Sequence, residues 1–312
     1  MLRGGRSIAV MSTMHLVGHD ASTRGDDALA LARALAPQGD VQRIVVHVTE
    51  ELASDLAPSG DYVRRRRTEI EKQLEPLRIS LRPGEELRLV EASSDAQGLH
   101  ELAEQERAAL VVVGSSHRGR VGLAVLGTVA DRLLHGSPCP LARAGAGFAA
   151  GTRKIDRVLL AFDGSTEAQG ALAFADGAAR AAGARVDVIT VQTPSPSFQY
   201  AGTAGLAPAV DAEPARRAAE LAASAAEGFS HDTVGVVLTP LAPVGAAIVE
   251  ASGEEDLVVC GSRAYGPLRR VLLGSTGFHV LHHARCSVVI VPRGDQPGAE
   301  APIAEELAAI TT

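Results

Sequence analysis

The 312-residue sequence predicts an α/β fold made twice in one chain: two tandem, doubly wound, parallel five-stranded sheets. Three observations lead there. Short, wholly apolar runs alternate with longer Ala-rich stretches of helical period, as buried parallel strands alternate with crossover helices. Landmarks of the first half return in the second at an almost constant spacing. A Gly-rich stretch lies between the two sets.

The repeat is read from particular residues. Val111-Val112-Val113-Gly114-Ser115 returns as Val258-Val259-Cys260-Gly261-Ser262, Leu126-Gly127-Thr128 as Leu273-Gly274-Ser275, and Ser137-Pro138-Cys139 as Ala284-Arg285-Cys286, each 147 positions on. His19-Asp20-Ala21-Ser22 matches Phe162-Asp163-Gly164-Ser165 at an offset of 143. One domain has therefore been duplicated, with small length changes in its middle. Residues 144–152 have the composition of a flexible connector. The expected organisation is a first domain over 1–144, a linker over 145–154, a second domain over 155–293 and a mobile tail over 294–312 with a short helix near 303–309. Pro194 to Pro214 reads as a long surface loop.

In the second half, strands are expected at Val158–Phe162, Val186–Val191, Val234–Leu238, Leu257–Cys260 and Val288–Val291. Helices are expected at Thr166–Ala182, stopped by Gly183, and at Ala212–Gly228, Val244–Ser252 and Ser275–His282. First-half strands fall near Met14–Gly18, Ile44–Val48, Leu87–Val90, Leu110–Val113 and Pro140–Ala142. Strand order is not written in a sequence. An order of 3-2-1-4-5 would bring the ends of strands 1 and 4 together at a topological switch point, where such sheets bind ligands.

Composition excludes several classes. A net charge of −7 with a single dense basic stretch, Tyr62 to Arg67, argues against nucleic acid as a partner, and that stretch reads as a solvated helix face. Lysine occurs only at Lys72 and Lys154. The apolar stretch near the start is broken by Ser12, Thr13 and His15, far short of the roughly 20 residues that span a bilayer, so no membrane is expected. Cys139, Cys260 and Cys286 have neither disulfide nor zinc spacing, which points to a reducing cytoplasm. No first-half histidine pair has metal-chelating spacing on a helix, and no metal site is expected. His282-His283 closes a helix, where a cation complements the dipole.

Chemistry concentrates after strand 4. Gly114-Ser115 and Gly261-Ser262 end that strand, and after a loop Gly127-Thr128 and Gly274-Ser275 open a helix. Glycine admits a close ligand, and a helix start offers unpaired N–H groups with a hydroxyl beside them, a combination that suits phosphate. Arg118, Arg120, Arg263, Arg269 and Arg270 flank the loops. No Walker-type loop and no Gly-x-Ser-x-Gly elbow is present, so no catalytic residue is expected.

On these residues both halves resemble the universal stress protein family. Its nucleotide-binding members share Gly-x2-Gly-x9-Gly-Ser/Thr at this place, and this chain keeps the intervals at Gly114, position 117 and Gly127-Thr128, and at Gly261, position 264 and Gly274-Ser275. The middle glycine is His117 in one copy and Ala264 in the other, with Gly119 and Gly266 two places later. The resemblance implies an adenine-nucleotide α-hydrolase-like fold and ATP, with magnesium as its companion, as the cofactor. It implies contacts from Asp20, Val48, Gly114, His117, Gly119, Gly127 and Thr128 in the first half, and from Asp163, Val191, Gly261, Gly266, Gly274 and Ser275 in the second. Each Asp also has a plainer reading as a turn residue bonding nearby backbone N–H groups. Val48 and Val191 also read as core residues lining the crevice. Family members dimerise through the last strand, which implies an intramolecular pseudo-dimer through Pro140–Ala142 and Val288–Val291. Two functions stay open: a nucleotide-binding stress-response module without appreciable turnover, or an interaction protein whose phosphate loops have degenerated. An ATP-using enzyme is disfavoured by the scarcity of lysine. Unidentified protein partners remain compatible with either.

Overall fold

A computed structural model describes residues 13–36, 41–50, 60–115, 128–134, 136–151, 154–192, 212–229, 232–238, 242–254, 256–262 and 274–292. The first half runs β1 (Thr13–Gly18), α1 (Thr23–Leu35), β2 (Val41–Glu50), α2 (Gly60–Ser80), β3 (Glu85–Ala92), α3 (Asp95–Gln105), β4 (Leu110–Val113), α4 (Thr128–Leu134) and β5 (Leu141–Arg143). The second runs β6 (Arg157–Ala161), α5 (Thr166–Ala182), β7 (Arg185–Val191), α6 (Ala212–Glu227), β8 (Thr233–Leu238), α7 (Val244–Ala251), β9 (Asp256–Gly261), α8 (Ser275–His283) and β10 (Ser287–Val291). The expected strands are all present. Several run longer than their apolar cores because polar residues such as Gln42, Arg43 and Thr49 continue the ladder. The helix expected near 303–309 lies outside the described residues, as does most of the expected long loop.

Each half has the strand order 3-2-1-4-5, and the halves join into one ten-stranded sheet, β3-β2-β1-β4-β5-β10-β9-β6-β7-β8. All pairings are parallel except the central one, where β10 runs antiparallel to β5 with Val289 opposite Ala142. The expected pairing of last strands is therefore made within the chain, and it removes two exposed sheet edges at once. Alternation along β4 shows how the layers are filled. Leu110 and Val112 enter the apolar core under α1, α2, α5 and α6, while Val111 and Val113 enter the core under α3, α4, α7 and α8. Both cores cross the seam without interruption. On α2, Arg64, Arg65 and Arg67 face water, with Arg64 paired to Asp61 and Arg67 to Glu71, while Arg66 is half-buried. Among the described residues no helix is long and apolar enough to cross a membrane.

The connector is not loose. Its composition favours flexibility, but Phe148 is only 7% exposed and joins the core of the α1/α5 face. The buried carboxylate of Asp27 on α1 accepts the amides of Gly147 (2.9 Å) and Ala149 (2.7 Å). Gly145 donates to Ser287 Oγ at 3.1 Å, and Nη2 of the buried Arg143 donates to the carbonyls of Ala284 (2.9 Å) and Cys286 (3.0 Å). With the amides of Gly145, Gly147, Phe148 and Ala149 all bonded, the turn is held in place against its propensity.

Candidate functional site

The strand order sets the carboxyl end of β1 beside that of β4, and β6 beside β9. A cleft opens at each switch point, of about 410 Å³ in the first half and about 530 Å³ in the second. Both volumes are in the range of small-molecule sites.

Each cleft is rimmed by the turn after its first strand. Asp20 Oδ1 accepts the Ser22 amide (3.2 Å) and hydroxyl (2.5 Å), and its Oδ2 accepts from Arg24 (2.8 Å). Asp163 accepts the Ser165 amide (3.0 Å) and hydroxyl (2.5 Å) in the same way. The turn-forming reading of both aspartates is thus realised, and both carboxylates also border their clefts. Partial burial raises the pKa of Asp20, but Ser22 and Arg24 outweigh it and hold the group below the usual carboxylate range. The residue between, Ala21 or Gly164, has positive φ (56° and 77°), a conformation that glycine adopts without cost and alanine does not.

Two histidines that sequence reasoning left unassigned shape the first cleft. His19 is 4% exposed; its Nδ1 accepts the Ala21 amide at 3.0 Å, which leaves the proton on Nε2, 3.2 Å from Asp26 Oδ1. Burial lowers its pKa, partly offset by Asp26 and Asp20. His47, on β2, donates Nδ1–H to the His19 carbonyl at 2.8 Å. Thr190 makes the matching bond to the Phe162 carbonyl at 3.0 Å. Comparison of the two copies carried the signal: His19 aligns with Phe162, and His47 with Thr190. Val48 and Val191 follow, half-buried, one in each cleft wall.

At the end of β4, Gly114 borders the first cleft and also meets a packing constraint. A Cβ there would lie 2.4 Å from the Arg24 carbonyl oxygen, so the bare backbone is needed by α1 itself and not only by a ligand. His117, Gly119, Gly127 and Gly266 lie outside the described residues; Thr128 opens α4. In the second half, Gly261 ends β9 and Ser262, which borders the cleft, follows at 2% exposure, its buried hydroxyl without a hydrogen-bond partner among the described residues. Across the cleft, Gly274 caps α8 with no side-chain hydrogen bond, and Ser275 is its exposed first residue. Gly274 and Asp163 border the same hollow.

The clefts differ in one further respect. Leu281 and His282 of α8 reach across the seam into the first cleft, beside Asp131 and Arg143 of the first half. The described lining of the second cleft comes from the second half alone. The three cysteines are buried and unpaired, and burial pushes Cys139 and Cys260 up to about 12 and raises Cys286, so none is poised as a thiolate. Among the described residues no group of three or more metal-ligating side chains is assembled.

The model of the Universal stress protein family matches residues 14–143 and again 154–292. A universal stress protein of Mycobacterium tuberculosis is 32% identical over 191 residues, 59% of this chain and 61% of that protein, so the chain spans less than two thirds of the relative's length. One from Thermus aquaticus is 33% identical over 135 residues, 43% of this chain and 96% of its own. The crystal structure of a universal stress protein from Archaeoglobus fulgidus superposes with a TM-score of 0.61 at 20% identity, covering 91% of this chain and all of the other. That likeness is one of fold.

Proposed function

The chain belongs to the universal stress protein family, and from that premise we propose that it is an adenine-nucleotide-binding stress-response module. In this reading it holds ATP with a magnesium companion in one or both clefts, turns it over little or not at all, and works in a reducing cytoplasm.

One observation carries the reading: Ser262, a residue of the second cleft's lining, has a buried hydroxyl with no partner among the described residues, and the uncapped start of α8 lines the same cleft. A buried hydroxyl left unsatisfied costs about 1–3 kcal/mol. A phosphate chain would accept from Ser262 and from the first amides of α8, where the helix dipole also favours negative charge. Asp163 at the opposite rim would accept from ribose hydroxyls. Magnesium, a hard cation, would take most of its ligands from phosphate and water.

Calorimetric titration with ATP and magnesium tests this. The unaltered chain is expected to bind below millimolar ATP, Ser262→Ala to weaken the second cleft by about three- to tenfold, and Gly274→Val to abolish it. A Gly127→Val variant reads the first cleft. Absence of binding at millimolar ATP overturns the reading and leaves the interaction protein. That alternative draws on the first half, where Gly114 is spent on α1 packing and His117 replaces the family glycine. A slow-turnover ATPase assay tests the weak-catalysis clause.

A further inference from the structure

Beside the first cleft, and sharing His47, Val48, Asp95 and Val129 with it, lies a polar pocket of about 470 Å³. Two arginines from different helices border it, Arg66 of α2 and Arg132 of α4. Neither has an ion-pair or hydrogen-bond partner among the described residues, although their neighbours Arg64 and Arg67 are paired along α2. Arg66, half-buried, shares the pocket with Ile70, and the exposed Arg132 shares it with Val129, one helical turn apart in each case, so the stem of each arginine can lie along an apolar neighbour while its head stays accessible. The start of α3 also borders the pocket, but the Ser94 hydroxyl already accepts the Gln97 amide and Ser93 bonds the Gln97 side chain. The guanidinium groups, not the helix end, are the free donors.

We propose that Arg66 and Arg132 form an anion subsite for the ligand held in the first cleft, which rests on the reading of that cleft as a nucleotide site. Two guanidinium groups offer the planar, fork-shaped donors that suit phosphate or carboxylate oxygens. Asp95 stands at the junction of the two hollows, where its charge disfavours a bare anion in the middle. The ligand class is thus a molecule with an apolar ring for the cleft and an anionic group at the α2/α4 end. The second half differs at three of the corresponding described positions: His279 stands where the first has Arg132, Ala242-Pro243 where it has Ser93-Ser94, and Val244 where it has Asp95. The two clefts therefore differ in ligand preference.

The test titrates ATP, adenosine and inorganic pyrophosphate into the full chain in a Ser262→Leu background, which fills the second cleft. An Arg66→Ala/Arg132→Ala variant is compared with Arg216→Ala/Arg217→Ala, which removes the same charge from α6. Expected is a loss of at least about tenfold for ATP and pyrophosphate in the first variant, with adenosine unchanged and the control close to its parent. Equal loss in the control, or no loss for pyrophosphate, overturns the subsite. Loss for pyrophosphate but not ATP also overturns it as proposed, since the anion held is then a free one. If adenosine and ATP bind nowhere, the nucleotide reading fails, while the pyrophosphate arm still decides whether the arginines hold an anion. Thermal melts of each variant, and the same titrations without the Ser262 change, separate misfolding from lost affinity.

Discussion

Nε2 of His282, in the second half, lies 2.7 Å from Oδ1 of Asp131, in the first. This contact crosses the seam at the wall of the first cleft. Burial lowers the pKa of His282, opposed chiefly by Asp131. A base whose folded pKa is lowered contributes stability that is complete above the unfolded value near 6.5 and is lost as pH falls toward the folded value. Asp131→Asn removes the opposing attraction, so the His282 pKa is expected to fall further and the acid-side loss of stability to deepen. Proton NMR titration of the imidazole is the check, and an unchanged or raised pKa would refute the pairing.

His15 of β1 makes the same argument in stronger form. It is 7% exposed, its Nδ1 has no hydrogen-bond partner, and burial, with Arg43 opposite it, pushes its pKa down to about 4. Between pH 6.5 and 4 the unfolded chain takes up a proton that the folded chain refuses, a loss on the order of 3 kcal/mol. The second copy carries Val158 at this place. His15→Val is expected to lose markedly less stability than the parent between pH 7.5 and 4.5 in denaturant titrations.

Arg143 carries the polar half of the seam. Replacing it with Met preserves bulk but leaves the carbonyls of Ala284 and Cys286 without their donor. A destabilisation of about 2–4 kcal/mol is expected in denaturant unfolding. A change within experimental error would show that these bonds do not hold the halves together.

Two glycines give opposite predictions for one substitution. Gly114→Ala drives a Cβ to 2.4 Å from the Arg24 carbonyl, so α1 must shift, at a cost of about 1–3 kcal/mol. Gly177, inside α5, has nothing within 4 Å of its added Cβ, and Gly177→Ala is expected to stabilise by about 0.5–1 kcal/mol. Paired thermal melts measure both.

The same glycine marks where sequence reading stops. Gly114 is conspicuous in the repeat, and its position at the end of β4 is legible, but the atom that excludes a Cβ belongs to α1, about ninety residues away in the chain. Asp20 and Asp163 are legible as turn residues because their partners are two positions on. The role of His47 was not, because its partner, the His19 carbonyl, is brought near only by the β1–β2 pairing. Ser262 is legible in the sequence as the residue that ends strand 4 of the repeat, but burial without a partner among the described residues is a property of the folded state.

The amino-acid order by itself determined the duplicated α/β architecture, the strands, the helix limits of the second half and the family, since each rests on local periodicity, local turn chemistry or self-comparison. Tertiary structure alone decided that the connector is held in place and that the two clefts differ in lining, the first taking Leu281 and His282 from across the seam. Those outcomes depend on contacts between segments far apart in the chain, and hydrophobic pattern specifies that such segments are buried without specifying against what.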